Sequence, residues 1–144
     1  MTTVYVDGSC LNNGLPNASA GVGIYFGPGD PRNFSGKVYG NLQSSSRAEL
    51  DAVRRALAVT VSNKDSYPVV SPVTIKTDSQ YAIDSLTNPD VGKATNVPNL
   101  DIINDFRRQY QGCGFTVYLA HVSGHAGNPG NNAAHNLAIQ GARS

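Results

Sequence analysis

The stretch "SSSRAELDAVRRALAVTVS" (44–62) is where the chain changes its period. Within it Leu50, Val53 and Leu57 recur on one stripe while Arg54 and Arg55 fall off it, the spacing of an amphipathic helix. Upstream the pattern is strand-like. "TTVYVDGS" (2–9) reads as a strand closing on an acid and a turn, and "GVGIYFGPG" (21–29) and "FSGKVYGNL" (34–42) are two more, separated by the turn formers of "PGDPRN" (28–33). Downstream, "PVTIKTDS" (72–79) is a strand, "SQYAIDSLT" (79–87) a short helix and "NPDVGKATNVPN" (88–99) a loop. "LDIINDFRRQYQG" (100–112) is a second amphipathic helix, and "FTVYLAHV" (115–122) is the fifth strand. Asn128 followed by Pro129 has the form of an N-cap and first-turn proline, opening a helix that runs to about Ala142.

The order β-β-β-α-β-α-α-β-α predicts an α/β fold. It consists of a five-stranded mixed sheet, three antiparallel hairpin strands plus two parallel ones, flanked by helices. The 144 residues suit one compact domain spanning 1–144, with 40% hydrophobic and 15% charged residues. No apolar run approaches the roughly 18–20 residues of a membrane span, and the N-terminus lacks the basic start and long apolar centre of a secretory signal. Cys10 and Cys113 stand alone, which argues against zinc and a disulfide framework and favours an intracellular, cytoplasmic setting. A net charge of +1 announces no nucleic-acid partner, so any such partner has to be held by local geometry.

The ten acids are nine aspartates and one glutamate, Glu49. Three of them sit at element boundaries: Asp7 at the end of strand 1, Glu49 at the start of the first helix and Asp78 at the end of strand 4. Strand ends beside helix starts are where sites form in sheets with parallel pairs. Carboxylates converging there repel unless a cation neutralises them, and oxygen ligands without cysteine point to Mg²⁺ or Mn²⁺. Each acid also has a purely local explanation. Ser46-Arg47-Ala48-Glu49 fits the S-x-x-E capping box, Asp78 fits an N-cap, and Asp7 fits an Asx-turn with Gly8.

Four blocks, "VYVDGSCLNNG" (4–14), "SSSRAELDAV" (44–53), "TDSQYAI" (77–83) and "HVSGHAGNPGNNAAHNLA" (121–138), together resemble the type 1 enzymes of the ribonuclease H family. The resemblance covers nearly the whole chain and implies the ribonuclease H-like fold. It also implies a metal-dependent endonuclease that cleaves the RNA strand of RNA–DNA hybrids, leaving 5′-phosphate and 3′-hydroxyl ends. By position, Asp7, Glu49 and Asp78 match the family's first three metal-binding carboxylates, and His125 matches its mobile-loop histidine. The fourth metal-binding acid is replaced here by His135. Mg²⁺ is the implied cofactor, as two ions about 4 Å apart, with Mn²⁺ as a substitute. An imidazole ligand adds no negative charge and prefers softer ions, so His135 should weaken cation binding and favour Mn²⁺. Cys10, Asn13, Ser45, Ser46 and Gln80 occupy substrate-contacting positions, with Arg47 beside them.

The family often carries a basic, tryptophan-bearing protrusion after the short helix. This chain has no tryptophan, and its loop offers only Lys93. Arg54, Arg55, Arg107 and Arg108 read as solvated helix faces. Few phosphate contacts mean a shallow salt dependence and weak hybrid binding. Two rivals stand beside this reading: a hybrid-binding domain that lost cleavage through the change at His135, and a nuclease or integrase of the same fold acting on DNA. Starting at a methionine, the chain reads as a free-standing monomer, with the ribonuclease H domain of a reverse transcriptase as the alternative.

Overall fold

In the computed structural model, residues 2–91, 97–123 and 127–144 are described. The elements are β1 (Thr2–Leu11), β2 (Ser19–Tyr25), β3 (Phe34–Lys37), α1 (Ser45–Ser62), β4 (Val73–Thr77), α2 (Gln80–Thr87), α3 (Leu100–Gly112), β5 (Val117–His121) and α4 (Pro129–Arg143). Their order and types match the sequence reading. The sheet runs β3-β2-β1-β4-β5. β1–β2 and β2–β3 are antiparallel, while β1–β4 and β4–β5 are parallel.

Side chains alternate across a strand, so β1 sends Val4, Val6 and Gly8 to one face and Tyr5 and Asp7 to the other. The first face packs on α1, whose stripe of Leu50, Val53 and Leu57 is fully buried against Val4, Val6, Val22, Ile24 and Ile75. Gly8 sits where α1 crosses closest; a Cβ there would come within 2.6 Å of the Glu49 backbone nitrogen. The second face is covered over β1, β2 and β3 by α4. Gly23 allows that approach, since a Cβ on it would lie 2.0 Å from the Ala134 carbonyl oxygen.

Three differences from the sequence reading bear on the site and its surroundings. Strand β1 continues to Leu11, so Asp7 lies inside it, paired with Gly23, rather than at its end in an Asx-turn. Strand β3 stops at Lys37 rather than near Leu42. Beyond it the chain turns through Gly40 at φ +88°, and the Tyr39 N–H leaves the ladder for the buried Asp51 carboxylate at 2.9 Å. Helix α1 is capped by Ser44, whose hydroxyl accepts from the Arg47 N–H at 3.2 Å. Glu49 therefore stands five residues past the cap, too far along to close a capping box.

Candidate active site

Each of the three acids is freed from the local role its neighbours suggested. At the end of β4 the cap of α2 is Ser79, which accepts from the Ala82 N–H at 3.0 Å, so Asp78 is not the cap. Asn128 does cap α4, accepting from the Asn131 N–H at 3.1 Å, with Pro129 behind it as expected.

The three carboxylates share one electrostatic field. Asp7 is 5% exposed, and its pKa is raised from 3.8 to about 6, first by burial and then by the charge of Asp78. Glu49 is also raised, by burial and by Asp78, while a hydrogen bond from the Ser79 side chain opposes the shift. Asp78 thus acts on both, although the three residues lie on β1, α1 and the β4–α2 junction. The fourth participant comes from α4: His135 Nδ1 lies 2.7 Å from Asp7 Oδ2, and this contact opposes the rise in the Asp7 pKa. The His135 side chain is 54% exposed, so the expected position on the outer side of α4 and a place beside Asp7 are compatible. The helix carries it over the rim of β1.

This donor set fits a hard divalent cation. Asp7 and Glu49, each repelled by the Asp78 charge, gain from a positive charge, and no thiolate competes. Among the described residues, no three His, Cys, Asp or Glu side chains are closed into a ligand group. The imidazole of His135 instead occupies one oxygen of Asp7.

The expected substrate residues divide. Asn13 Oδ1 accepts from the Ser45 N–H at 3.1 Å, tying the end of β1 to the start of α1 and placing both residues on one rim. Ser46 is exposed there, and Cys10 is half-buried, with its thiol pKa raised by burial. Gln80 is exposed but tied back to Asp84 at 2.8 Å. Arg47 differs from the reading that set it beside them. It is 3% exposed, binds Asp101 through two nitrogens at 2.9 and 2.7 Å and donates to the Tyr39 carbonyl at 3.0 Å. It is a strut between α1 and α3 beneath the rim. The four arginines read as solvated faces divide: Arg54 and Arg55 are largely covered, whereas Arg108 stays 73% exposed. Arg54 spans Asp51 and Asp105, Arg55 reaches Asp51, Arg107 holds the Val91 and Asn88 carbonyls, and Arg108 pairs with Asp105. His125 and Lys93 lie outside the described residues.

Residues 1–143 match the family model described as RNase H. The chain belongs to the ribonuclease H family. It is 40% identical to ribonuclease H of Schizosaccharomyces pombe over 148 residues, covering 96% of this chain and 52% of that protein. It is 34% identical to human ribonuclease H1 over 149 residues, covering 97% of this chain and 49% of that one. The chain therefore spans about half the length of these curated relatives. Among solved structures, LC11-RNase H1 in complex with an RNA/DNA hybrid superposes with a TM-score of 0.72 at 19% identity, covering 99% of this chain and 97% of that one, a likeness of fold. LC9-RNase H1, a type 1 RNase H with the type 2 active-site motif, superposes at 0.69 with 25% identity, covering 99% and 72%.

Sequence reasoning missed Ser79 and Asp51. The cap signal at 78–79 was readable, but two adjacent cap formers compete and only the backbone path selects Ser79. No motif or boundary marks Asp51 in the sequence. It is fully buried between Arg54, Arg55 and the Tyr39 N–H.

Proposed function

We propose that this chain is an endonuclease that hydrolyses the RNA strand of RNA–DNA hybrids using two divalent cations. What supports the proposal is that the charge of Asp78 reaches both Asp7 and Glu49, from three separate elements, on a ribonuclease H chain. Asp7, Glu49, Asp78 and His135 are the residues that would hold the cations. When bound, these supply an activated attacking water and neutralise charge at the leaving oxygen. The reaction adds the water oxygen to phosphorus and breaks the bond from phosphorus to the 3′ oxygen. A 3′-hydroxyl and a 5′-phosphate result.

The chain's own groups have distinct tasks. Asp7, rigid inside β1, anchors the site from below, and Ser79 steadies the Glu49 carboxylate. His125, flanked by glycine in the sequence, takes and gives the proton near neutrality. Cys10, Asn13, Ser45, Ser46 and Gln80 form a small polar rim suited to the 2′-hydroxyls of a minor groove. With Arg47, Arg54, Arg55 and Arg107 engaged inside the domain, the domain binds hybrid weakly and with a shallow salt dependence. It works as a monomer in the cytoplasm, where both of its free cysteines persist as thiols.

One observation favours a second reading, in which the domain binds hybrid without cutting it: His135 engages Asp7, and no ligand group is closed among the described residues. Cleavage of a labelled hybrid across Mg²⁺ and Mn²⁺ series separates the two. The nuclease reading expects hybrid cleavage over duplex DNA and duplex RNA, abolished in Asp7→Asn. The binding reading expects no cleavage until His135→Asp restores it.

A further inference from the structure

Asn131 carries the one buried side-chain nitrogen or oxygen among the described residues that has no hydrogen-bond partner, its Oδ1. The residue is 3% exposed. Leaving such an acceptor unmet costs about 1–3 kcal/mol, so the cation-free chain gains nothing from this carboxamide. Nor does helix capping need it, because the Asn128 side chain already receives the Asn131 N–H.

Its location narrows the reason. On the sheet-facing stripe of α4, Gly130 lies over the Tyr5 ring, where a Cβ would come within 2.4 Å, and Ala134 lies over Gly23. Tyr5 is two residues before Asp7 on the same face of β1, and Gly23 is the ladder partner of Asp7. His135, one helical turn beyond Asn131, reaches Asp7 itself. Asn131 therefore stands one helical turn from the residue that touches Asp7, on a stripe that packs over Tyr5 and Gly23.

We infer that Asn131 is a positioning residue for a divalent cation at Asp7, its Oδ1 accepting a hydrogen bond from a water of the cation's shell. This rests on the cation site proposed above. Mg²⁺ keeps several of its waters when bound through one or two carboxylates, and those waters need acceptors around them. The terminal torsion of asparagine is broad and two-fold, so Oδ1 can be re-aimed without moving α4. A neutral acceptor suits the place, because a further acid would add to the repulsion that already raises Asp7 and Glu49.

The test is Mg²⁺ titration by calorimetry into wild type, Asn131→Ala, Asn131→Leu, Asn131→Asp and Asp7→Asn, with the cation-free melting temperature of each. Asn131→Ala and the closer-volume Asn131→Leu are expected to bind Mg²⁺ about tenfold more weakly, the loss typical for an outer partner of a metal site. The leucine variant should melt no lower than wild type, and Asn131→Asp should restore affinity. Wild-type binding lost in Asp7→Asn but unchanged in both apolar variants overturns the role of Asn131 and leaves the cation site standing. Absence of Mg²⁺ binding in wild type and Asp7→Asn alike overturns both.

Discussion

Replacing Asp7 by asparagine should abolish cleavage and yet stabilise the cation-free protein. The Asp7 carboxyl is raised from 3.8 to about 6 by burial and by Asp78. At about 1.4 kcal/mol per pH unit, holding it ionised above pH ~6 costs the fold on the order of 3 kcal/mol. The asparagine removes that cost, and the favourable His135 contact is already inside the net shift. A gain of up to about 3 kcal/mol raises the melting temperature by roughly 6–12 °C for a domain of this size. The sign across pH is specific. Below pH ~4 the carboxyl is protonated in both folded and unfolded chains, so the variant has no advantage there. As pH rises towards about 6, the folded chain keeps a proton that the unfolded chain has lost. Wild-type stability falls over that window while Asp7→Asn does not follow. Thermal unfolding in a chelator from about pH 4 to pH 8 measures this. A variant less stable than wild type at every pH, or a difference constant across the range, would refute the account of Asp7 as a strained, functional acid. Added Mg²⁺ should shrink the gap, since it stabilises only the wild type.

Further expectations follow from the same geometry. His135→Asp should lower the Mg²⁺ concentration needed for half-maximal cleavage and reduce the preference for Mn²⁺; an unchanged metal profile would place His135 outside the ligand set. Arg47→Met removes the partner of the half-exposed Asp101 and of the Tyr39 carbonyl and should cost about 1–2 kcal/mol in urea unfolding. Its KM for hybrid should stay unchanged, whereas a raised KM with intact stability would return Arg47 to the substrate rim. Ser79→Ala removes the cap of α2 and the hydrogen bond that steadies Glu49, costing about 1 kcal/mol of stability and shifting the acid limb of the pH–rate profile upward. Hybrid titration at several salt concentrations should give a shallow slope, and a nanomolar dissociation constant at physiological salt would contradict it.

Local physics was written in the sequence. The switch from period two to the Leu50–Val53–Leu57 stripe, the Asn128–Pro129 cap and the turn formers around Asp30 set the type and order of every element, because each depends on neighbours a few positions away. The motif blocks likewise singled out Asp7, Glu49, Asp78 and His135. Tertiary structure decided what those residues experience. Asp7 and His135 are 128 positions apart and meet only because α4 crosses β1. Asp78 was freed from capping when the backbone chose Ser79, and Glu49 from a capping box when α1 took Ser44 as its cap. Arg47, set beside the substrate contacts by the motif, and Asp51, which no motif marked, are buried struts, because their partners sit on α3 and beyond β3. Burial, and the charges it brings together, come from long-range packing. No window of the sequence holds both sides of such a contact.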